Sequence, residues 1–282
     1  MSLISKNPRV LVIGGSDSSA GAGIQADLKT ISALGGYACT AITALTVQNT
    51  QGVKSLNPTS PEILLAQCEA ILEDIDIHAV KIGMLPDSES VEVVSSILTK
   101  YQPEFVVWDP VLVATSGDGL TTEDIVNVAV EKLLPHVHVV TPNLHELADL
   151  TNSTEAAVKD AGLVEAQCQV LLNRGARAVL AKGGHFEADT ATDWLFTAQG
   201  FSESYVKSRI ETKNTHGSGC TFSSAIACLR PQLPNLSEAI RAAKNYVQDA
   251  IESSVNWRLG KGRGPLDHFC MENLSLHHFS AS

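Results

Sequence analysis

The sequence has no excess of positive charge, no C-x-x-C pair, and no unbroken apolar stretch of the roughly 18 residues a membrane helix needs. Each absence removes a class of function. With 20 Lys+Arg against 31 Asp+Glu the net charge is −11, a field that repels phosphate backbones and anionic lipid at long range. Nucleic acid is therefore excluded as a general partner. A small anion is not excluded, because a local nest of backbone amides holds one without any net positive charge. Residues Met1 to Arg9 contain no apolar run that reads as an export signal, so the expectation is a soluble, cytoplasmic protein. Six scattered cysteines (Cys39, Cys68, Cys168, Cys220, Cys228, Cys270) in a chain large enough not to need staples are expected to be reduced and mostly buried. There is no Pro/Ser-rich linker, charge block, internal repeat or low-complexity tract, which argues for one domain across 1–282.

What the chain does have is 44% hydrophobic against 18% charged residues over 282 positions, enough for a full core. Arg9–Gly14 is a short continuous apolar run ending in glycine, the pattern of a strand buried on both faces of a parallel sheet. A helix is predicted over Gly23–Leu34, from Ile24, Leu28, Ile31 and Leu34 at helical spacing before Gly35-Gly36. The alternation continues with strands at Tyr37–Val47, Ala79–Ile82, Phe105–Trp108, Val137–Val140 and Ala178–Ala181. Helices are predicted at Pro61–Ile75, Ser88–Leu98, Glu123–Leu134 and Glu155–Asn173. A hairpin at Asp193–Phe196 and Ser204–Ile210 and helices at Gly219–Leu229 and Ser237–Ser254 complete a doubly wound α/β fold. In such sheets ligands sit beyond the carboxyl ends of the strands, so the loops after strands carry the chemistry.

The first such loop, Gly14 to Gly23, formally contains G-x-G-x-x-A at Gly21–Ala26. Its first glycine is detached from the strand, and no acid follows about 20 residues on, so a nicotinamide dinucleotide site is not favoured. Gly23 to Thr30 has the wrong spacing for a P-loop. The strongest candidate is Asn214 to Phe222, where Gly217 and Gly219 lead into an apolar helix, so unpaired N–H groups and the positive end of the helix dipole converge on one spot. Cys220 lies in that first turn, where the field is expected to favour thiolate and make it a usable base, whereas Cys228 two turns on should be core. His216 either orients phosphate or is a plain loop histidine. Asn143 can cap a short helix, with Glu146 as a capping-box acid; alternatively Asn143 and Glu146 face the crevice and hold hydrated Mg²⁺ beside phosphates. Asp109 at a strand end is a second candidate for the metal, and Lys182 before Gly183-Gly184 is a cation able to neutralise a transferring phosphoryl group.

These motifs, in this order and over nearly the whole chain, resemble the hydroxymethylpyrimidine/phosphomethylpyrimidine kinases of the ribokinase-like superfamily. They include Gly15-Ser16-Asp17, Gly21–Thr30, Gln48-Asn49-Thr50, Lys81-Ile82-Gly83-Met84, Asp109-Pro110-Val111, Ser116-Gly117-Asp118, Thr141-Pro142-Asn143, Lys182–His185, Asn214–Gly217, Gly219–Thr221 and the tail Gly260–Pro265. The resemblance implies a ribokinase-like fold, a mostly parallel central sheet with helices on both faces. It also implies an ATP- and Mg²⁺-dependent enzyme that phosphorylates 4-amino-5-hydroxymethyl-2-methylpyrimidine and then its monophosphate, for thiamine biosynthesis. Gln48 and Met84 match pyrimidine-site positions, with Gly15, Asp27, Thr46 and Val111 also near that ring and Asp27 a hydrogen-bonding position. Asp109, Glu146 and Lys182 match the Mg²⁺ and phosphate region, together with Asn143 and Ser218, while Gly217, Gly219 and Cys220 match the anion hole and base. The family suggests a homodimer.

The chain departs from the family pattern at Thr115 for lysine, Leu112 for methionine, Thr46 for an aliphatic residue and Ser218 for threonine. The loss of a cation at Thr115 bears on how the monophosphate is handled. Two other readings are a pyridoxal kinase, against which Gln48 counts, and a non-catalytic pyrimidine sensor, which would need none of Glu146, Lys182 and Cys220. A lid at Ala114–Leu120 or Glu187–Thr192 is a further candidate feature.

Overall fold

The run Val10-Leu11-Val12-Ile13 has no solvent exposure at any of its four side chains. Strand alternation sends Leu11 and Ile13 into one apolar cluster and Val10 and Val12 into another, so this strand has helices on both faces. The computed structural model describes residues 7–111, 123–153, 161–183 and 189–271. Its first half runs β1 (Arg9–Ser16), α1 (Gly23–Ala33), β2 (Tyr37–Asn49), β3 (Gly52–Pro58), α2 (Pro61–Leu72), β4 (Ala79–Ile82), α3 (Ser88–Tyr101), β5 (Val106–Trp108) and α4 (Glu123–Leu133). The second half runs β6 (Val139–Val140), α5 (Leu144–Leu150), α6 (Ala161–Asn173), β7 (Ala178–Lys182), β8 (Thr190–Thr197), β9 (Ser202–Ser208), α7 (Ser218–Leu229) and α8 (Leu236–Ser254).

Among the described residues these strands form one sheet in the order β3-β2-β1-β4-β5-β6-β7-β8-β9. Pairings from β2 through β1 to β7 are parallel, and β3, β8 and β9 add antiparallel edges. One core cluster, with Val94, Ile97, Leu133, Leu147 and Leu171, is supplied by α3, α4, α5 and α6. The other, with Ile31, Phe222, Ile226 and Ile240, is supplied by α1, α7 and α8. The mostly parallel sheet covered on both faces is thus the architecture expected.

After β1 the chain lays β2 on one side and returns to lay β4 on the other, so the strand order reverses beside β1. A crevice opens there. The Gly83 N–H donates to the Ile13 carbonyl at 2.8 Å, which holds the ends of β1 and β4 together at its floor.

Several details differ from expectation. β3 was not anticipated, because Gly52–Pro58 offers only Val53 and Leu56 as apolar residues and is a half-exposed edge strand ending in proline. β8 begins at Thr190, ahead of the expected Asp193, and β9 ends at Ser208, short of Ile210. Of the helix expected over Glu155–Asn173, Ala161–Asn173 is helical, and residues 155–160 lie outside the described residues. Cys39, Cys68, Cys168 and Cys228 are buried, Cys220 and Cys270 are half-buried, and all six are free thiols. Among the described residues no helix is long and apolar enough to cross a membrane.

Candidate active site

The strand ends and the N-terminus of α7 enclose a cleft of about 1000 Å³, and the candidate catalytic, pyrimidine, phosphate and metal residues from Gly15 to Cys220 that are described all line it. One end is neutral. Gly15, Thr46, Gln48, Met84 and Val111 line it together with Gly83. A Cβ on Gly15 would lie 2.3 Å from Met84 Cε, so the glycine lets the methionine methyl pack close against the backbone at the cleft wall. Thr46 Oγ1 donates to the Ser16 carbonyl at 2.7 Å and lies 3.2 Å from Gln48 Oε1. The backbone of Gln48 is fixed at both groups by one hydroxyl: Ser18 Oγ donates to its carbonyl at 2.7 Å and accepts from its N–H at 3.0 Å.

The other end is built on the entry to α7. Gly217 has φ +82°, and a Cβ there would lie 1.9 Å from the Gly21 carbonyl oxygen, so only glycine lets the two glycine loops approach. No side chain caps the helix, which leaves its first N–H groups and the positive end of its dipole toward the cleft. A Cβ on Gly219 would stand 3.3 Å from Lys182 Nζ and 3.6 Å from Asp109 Oδ2, so the anion hole, the cation and the acid share one space. His216 Nε2 lies 2.9 Å from Asp17 Oδ2, and Asp17 also accepts from the N–H groups of Ser19, Gly21 and Ala22 and from Ser19 Oγ. His216 is thus neither free for phosphate nor an idle loop residue; it ties the second glycine loop to the first. Burial opposes the Asp17 charge, but the bond with His216 and those from Ser19 and Ala22 outweigh it and bring the carboxyl down to about 2.

Lys182 Nζ donates to Asp109 Oδ1 at 2.7 Å and stands 3.9 Å from Glu146 Oε2, with Thr141 Oγ1 donating to Asp109 at 3.2 Å. The capping reading of Glu146 is realised, and the same pair faces the cleft. Its carboxylate accepts from the Asn143 N–H at 2.6 Å while Asn143 Oδ1 accepts from the Glu146 N–H at 2.9 Å, a complete capping box, yet the pair lines the cleft beside Lys182. Burial, reinforced by the Asp109 charge and only partly offset by Lys182, pushes Glu146 up to about 7. Asp109 is also buried, but Lys182 and Lys81 outweigh the desolvation and hold it below its usual value. Among the described residues no group of three or more His, Cys, Asp or Glu could hold a metal ion. Two carboxylates sharing one ammonium, one of them resisting ionisation, nevertheless fit Mg²⁺, which takes one or two carboxylates and fills its remaining positions with water and phosphate.

Two expectations are corrected here. Cys220 is not driven to thiolate: desolvation is the largest influence and Asp27 and Asp109 add to it, so the thiol is pushed up to about 12 despite the Lys81 ammonium and a backbone hydrogen bond from Gly23. Asp27 lines the cleft but has no exposed surface, and its oxygens are taken by Lys81 Nζ, at 3.0 Å to each, and by Ser224 Oγ at 2.6 Å. It positions a cation beneath the site. Lys81, fully buried on a strand that reads as apolar, was not singled out, and the only signal was a lysine inside the run Ala-Val-Lys-Ile.

At the far side of the cleft, Asp193 accepts from Lys244 Nζ at 2.5 Å and from the Gly183 N–H at 3.1 Å, beside Ile210, Thr212, Val247 and Ile251. Sequence reasoning missed this wall too, because its residues come from β8, the loop after β9, and α8, none of which carries a motif. Leu112, Thr115, Ser116-Gly117-Asp118, the segment Ala114–Leu120, Gly184-His185 and the first two residues of Glu187–Thr192 lie outside the described residues.

The family model described as phosphomethylpyrimidine kinase matches residues 17–267. The hydroxymethylpyrimidine/phosphomethylpyrimidine kinase of Escherichia coli (strain K12) is 43% identical over 264 residues, covering 94% of this chain and 98% of the relative. Among solved structures, the ADP complex of Bacillus subtilis pyridoxal kinase superposes with a TM-score of 0.85 at 31% identity, over 94% of this chain and 98% of that one. The phosphomethylpyrimidine kinase of Clostridium difficile 630 superposes with a TM-score of 0.76 at 35% identity, over 87% of this chain and all of that one. The fold is therefore ribokinase-like, as the sequence resemblance implied. With the match running through both glycine loops and the strand ends between them, the chain belongs to the phosphomethylpyrimidine kinase family.

Proposed function

We propose that the cleft transfers the γ-phosphoryl group of ATP to 4-amino-5-hydroxymethyl-2-methylpyrimidine, and then to its monophosphate, giving the pyrophosphate for thiamine biosynthesis. The observation that carries this reading is the division of one cleft into an uncapped helix entry with Lys182, Asp109 and Glu146 at one end and a slot with Gln48, Thr46 and Met84 at the other. Phosphoryl transfer asks little covalent chemistry of a protein; it needs alignment, charge neutralisation and somewhere for the hydroxyl proton to go. The slot of Gly15, Met84 and Val111 takes the flat ring and Gln48 its polar edge. The amides of Gly217 and Gly219 and the Lys182 ammonium take the phosphoryl oxygens, with Ser218 beside them and Asn143 at the rim. The nucleoside lies along Asp193, Lys244, Val247 and Ile251; the relative solved with ADP supports nucleotide use in this fold.

Asp109 and Glu146 would hold Mg²⁺, which would supply charge neutralisation at the transferring phosphoryl group. Cys220 accepts the hydroxyl proton through its minor thiolate population, because the thiol sits near 12. The monophosphate needs no such base, since its oxygens are already largely ionised near pH 7. We read 1–282 as a single kinase domain, working as a cytoplasmic homodimer; sedimentation of the purified chain tests the dimer. The function is tested by product-resolved turnover with ATP and Mg²⁺, offering the hydroxymethylpyrimidine, its monophosphate and pyridoxal in parallel. Phosphorylation of both pyrimidines with poor use of pyridoxal supports the reading; turnover of pyridoxal alone overturns the substrate, and binding without turnover overturns the kinase.

A further inference from the structure

The hydrogen-bond directions around Gln48 are over-determined, and together they fix which way its amide faces. Asp17 accepts four bonds from Ser19, Gly21 and Ala22, so it has no proton to offer, and its 2.9 Å contact with His216 is a hydrogen bond only if His216 Nε2 carries the hydrogen. That nitrogen then has no lone pair, yet Gln48 Nε2, also a donor, faces it at 3.4 Å. The second contact leads to the same conclusion. Thr46 Oγ1 spends its hydrogen on the Ser16 carbonyl at 2.7 Å, so at 3.2 Å it meets Gln48 as an acceptor and needs an N–H there, where Oε1 stands. Turning the amide over, which leaves its shape unchanged, gives Thr46 its N–H and sets an oxygen, in place of a second donor, beside the His216 Nε2–H, whose one hydrogen stays on Asp17.

We infer that Gln48 is held with its carboxamide oxygen toward His216 and its nitrogen toward Thr46, leaving one N–H and the oxygen lone pairs for a ligand, and that Thr46, by its hydrogen bond, and His216, by excluding a second donor, are the positioning residues that set this direction. The consequence rests on the function proposed above. An aminopyrimidine presents a ring nitrogen that accepts beside an amino group that donates, a matched edge for a carboxamide whose direction is fixed. A vitamin B6 ring carries no amino group beside its nitrogen. Because the amide cannot turn freely, it fixes which way round the ring sits and therefore where the hydroxymethyl group points.

Two measurements test this. In the ligand-free wild-type protein with ¹⁵N-labelled histidine, the His216 ring is expected to show a hydrogen on Nε2; a bare Nε2 overturns the assignment. Binding of the hydroxymethylpyrimidine and of its analogue lacking the amino group is then measured by calorimetry, with no turnover required. Thr46→Val is expected to shrink the preference for the amino compound by roughly 3–10-fold, the effect of one lost neutral hydrogen bond. A purely structural role for Thr46 would weaken both ligands alike, and an unchanged ratio overturns the inference. If wild-type protein binds neither compound, the proposed function fails, and the histidine spectrum alone decides the hydrogen-bond direction.

Discussion

At the α7 end of the cleft the polar groups are ions, Asp109, Lys182 and Glu146, whereas at the β2 end they are an amide and a hydroxyl, Gln48 and Thr46. The charged end couples to whatever else is charged nearby: a metal, a phosphate or a proton changes the balance of all three groups. The neutral end responds to direction and fit, because a carboxamide carries no charge to be screened or titrated. One cleft can thus recognise a ring and move a phosphoryl group with little interference between the two tasks. The two ends meet in the Asp17–His216 pair, in which His216 belongs to the anion loop by sequence but bonds Asp17 of the first glycine loop and lies beside Gln48 of the ring end.

The largest break in that comparison should come from Lys182→Met. With the ammonium gone, Asp109 keeps only the Lys81 charge, Glu146 loses its neighbouring cation and the phosphoryl oxygens lose theirs, so kcat is expected to fall roughly 10²–10³-fold. Pyrimidine binding by calorimetry should change less than about twofold if the ends are independent. Equal losses in both would show that they are not.

Cys220→Ala should separate the two phosphorylations. Removal of a proton acceptor is expected to lower the alcohol step by about 10² and the monophosphate step by under about tenfold. The sign of the pH dependence follows from the thiol near 12: below that value the thiolate fraction grows about tenfold per pH unit, so alcohol phosphorylation in the wild type should climb from pH 7 to 9 without a plateau. The variant should lose that slope. A wild-type plateau near pH 8 would return Cys220 to the activated thiolate that its helix position alone suggests.

At the neutral end, Gly15→Ala is the sharper probe. The added methyl meets Met84 Cε, the far end of a flexible side chain, so the fold should survive while the slot narrows. KM for the pyrimidine is expected to rise about tenfold with Tm little changed; a collapse in Tm would mean that the slot is part of the core.

Much of this was legible from residues next to strand ends. Gly217 and Gly219, Lys182, Asp109 and the Asn143–Glu146 box announce themselves, because glycines, caps and ions in those loops have few structural alternatives. Lys81 was not legible, since a buried lysine in an apolar strand is marked only by its oddity, and its partners Asp27 and Ser224 come from α1 and α7. The Cys220 thiol was misread for a related reason: helix position is local and visible, whereas the burial that chiefly opposes ionisation, and the Asp27 and Asp109 carboxylates that add to it, come from packing of distant elements. The edge strand β3 escaped because strand pattern needs a buried face, and Gly52–Pro58 has little of one.

The smallest effect, and the most diagnostic of the charged end, concerns Glu146. Its carboxyl is raised from the usual 4.5 to about 7 by burial and by Asp109, so between those values the folded chain binds more protons than the unfolded chain. By linkage, this group's contribution to stability is lost as pH rises through that window. The Tm of the wild type relative to Glu146→Gln is therefore expected to decline from pH 5 to pH 8 in metal-free buffer. Mg²⁺ favours the ionised carboxylate, so millimolar Mg²⁺ should flatten the decline and bind more tightly as pH rises through about 7. Parallel curves for the two proteins, with or without the ion, would leave Glu146 as a helix cap only and move the metal to Asp109 alone.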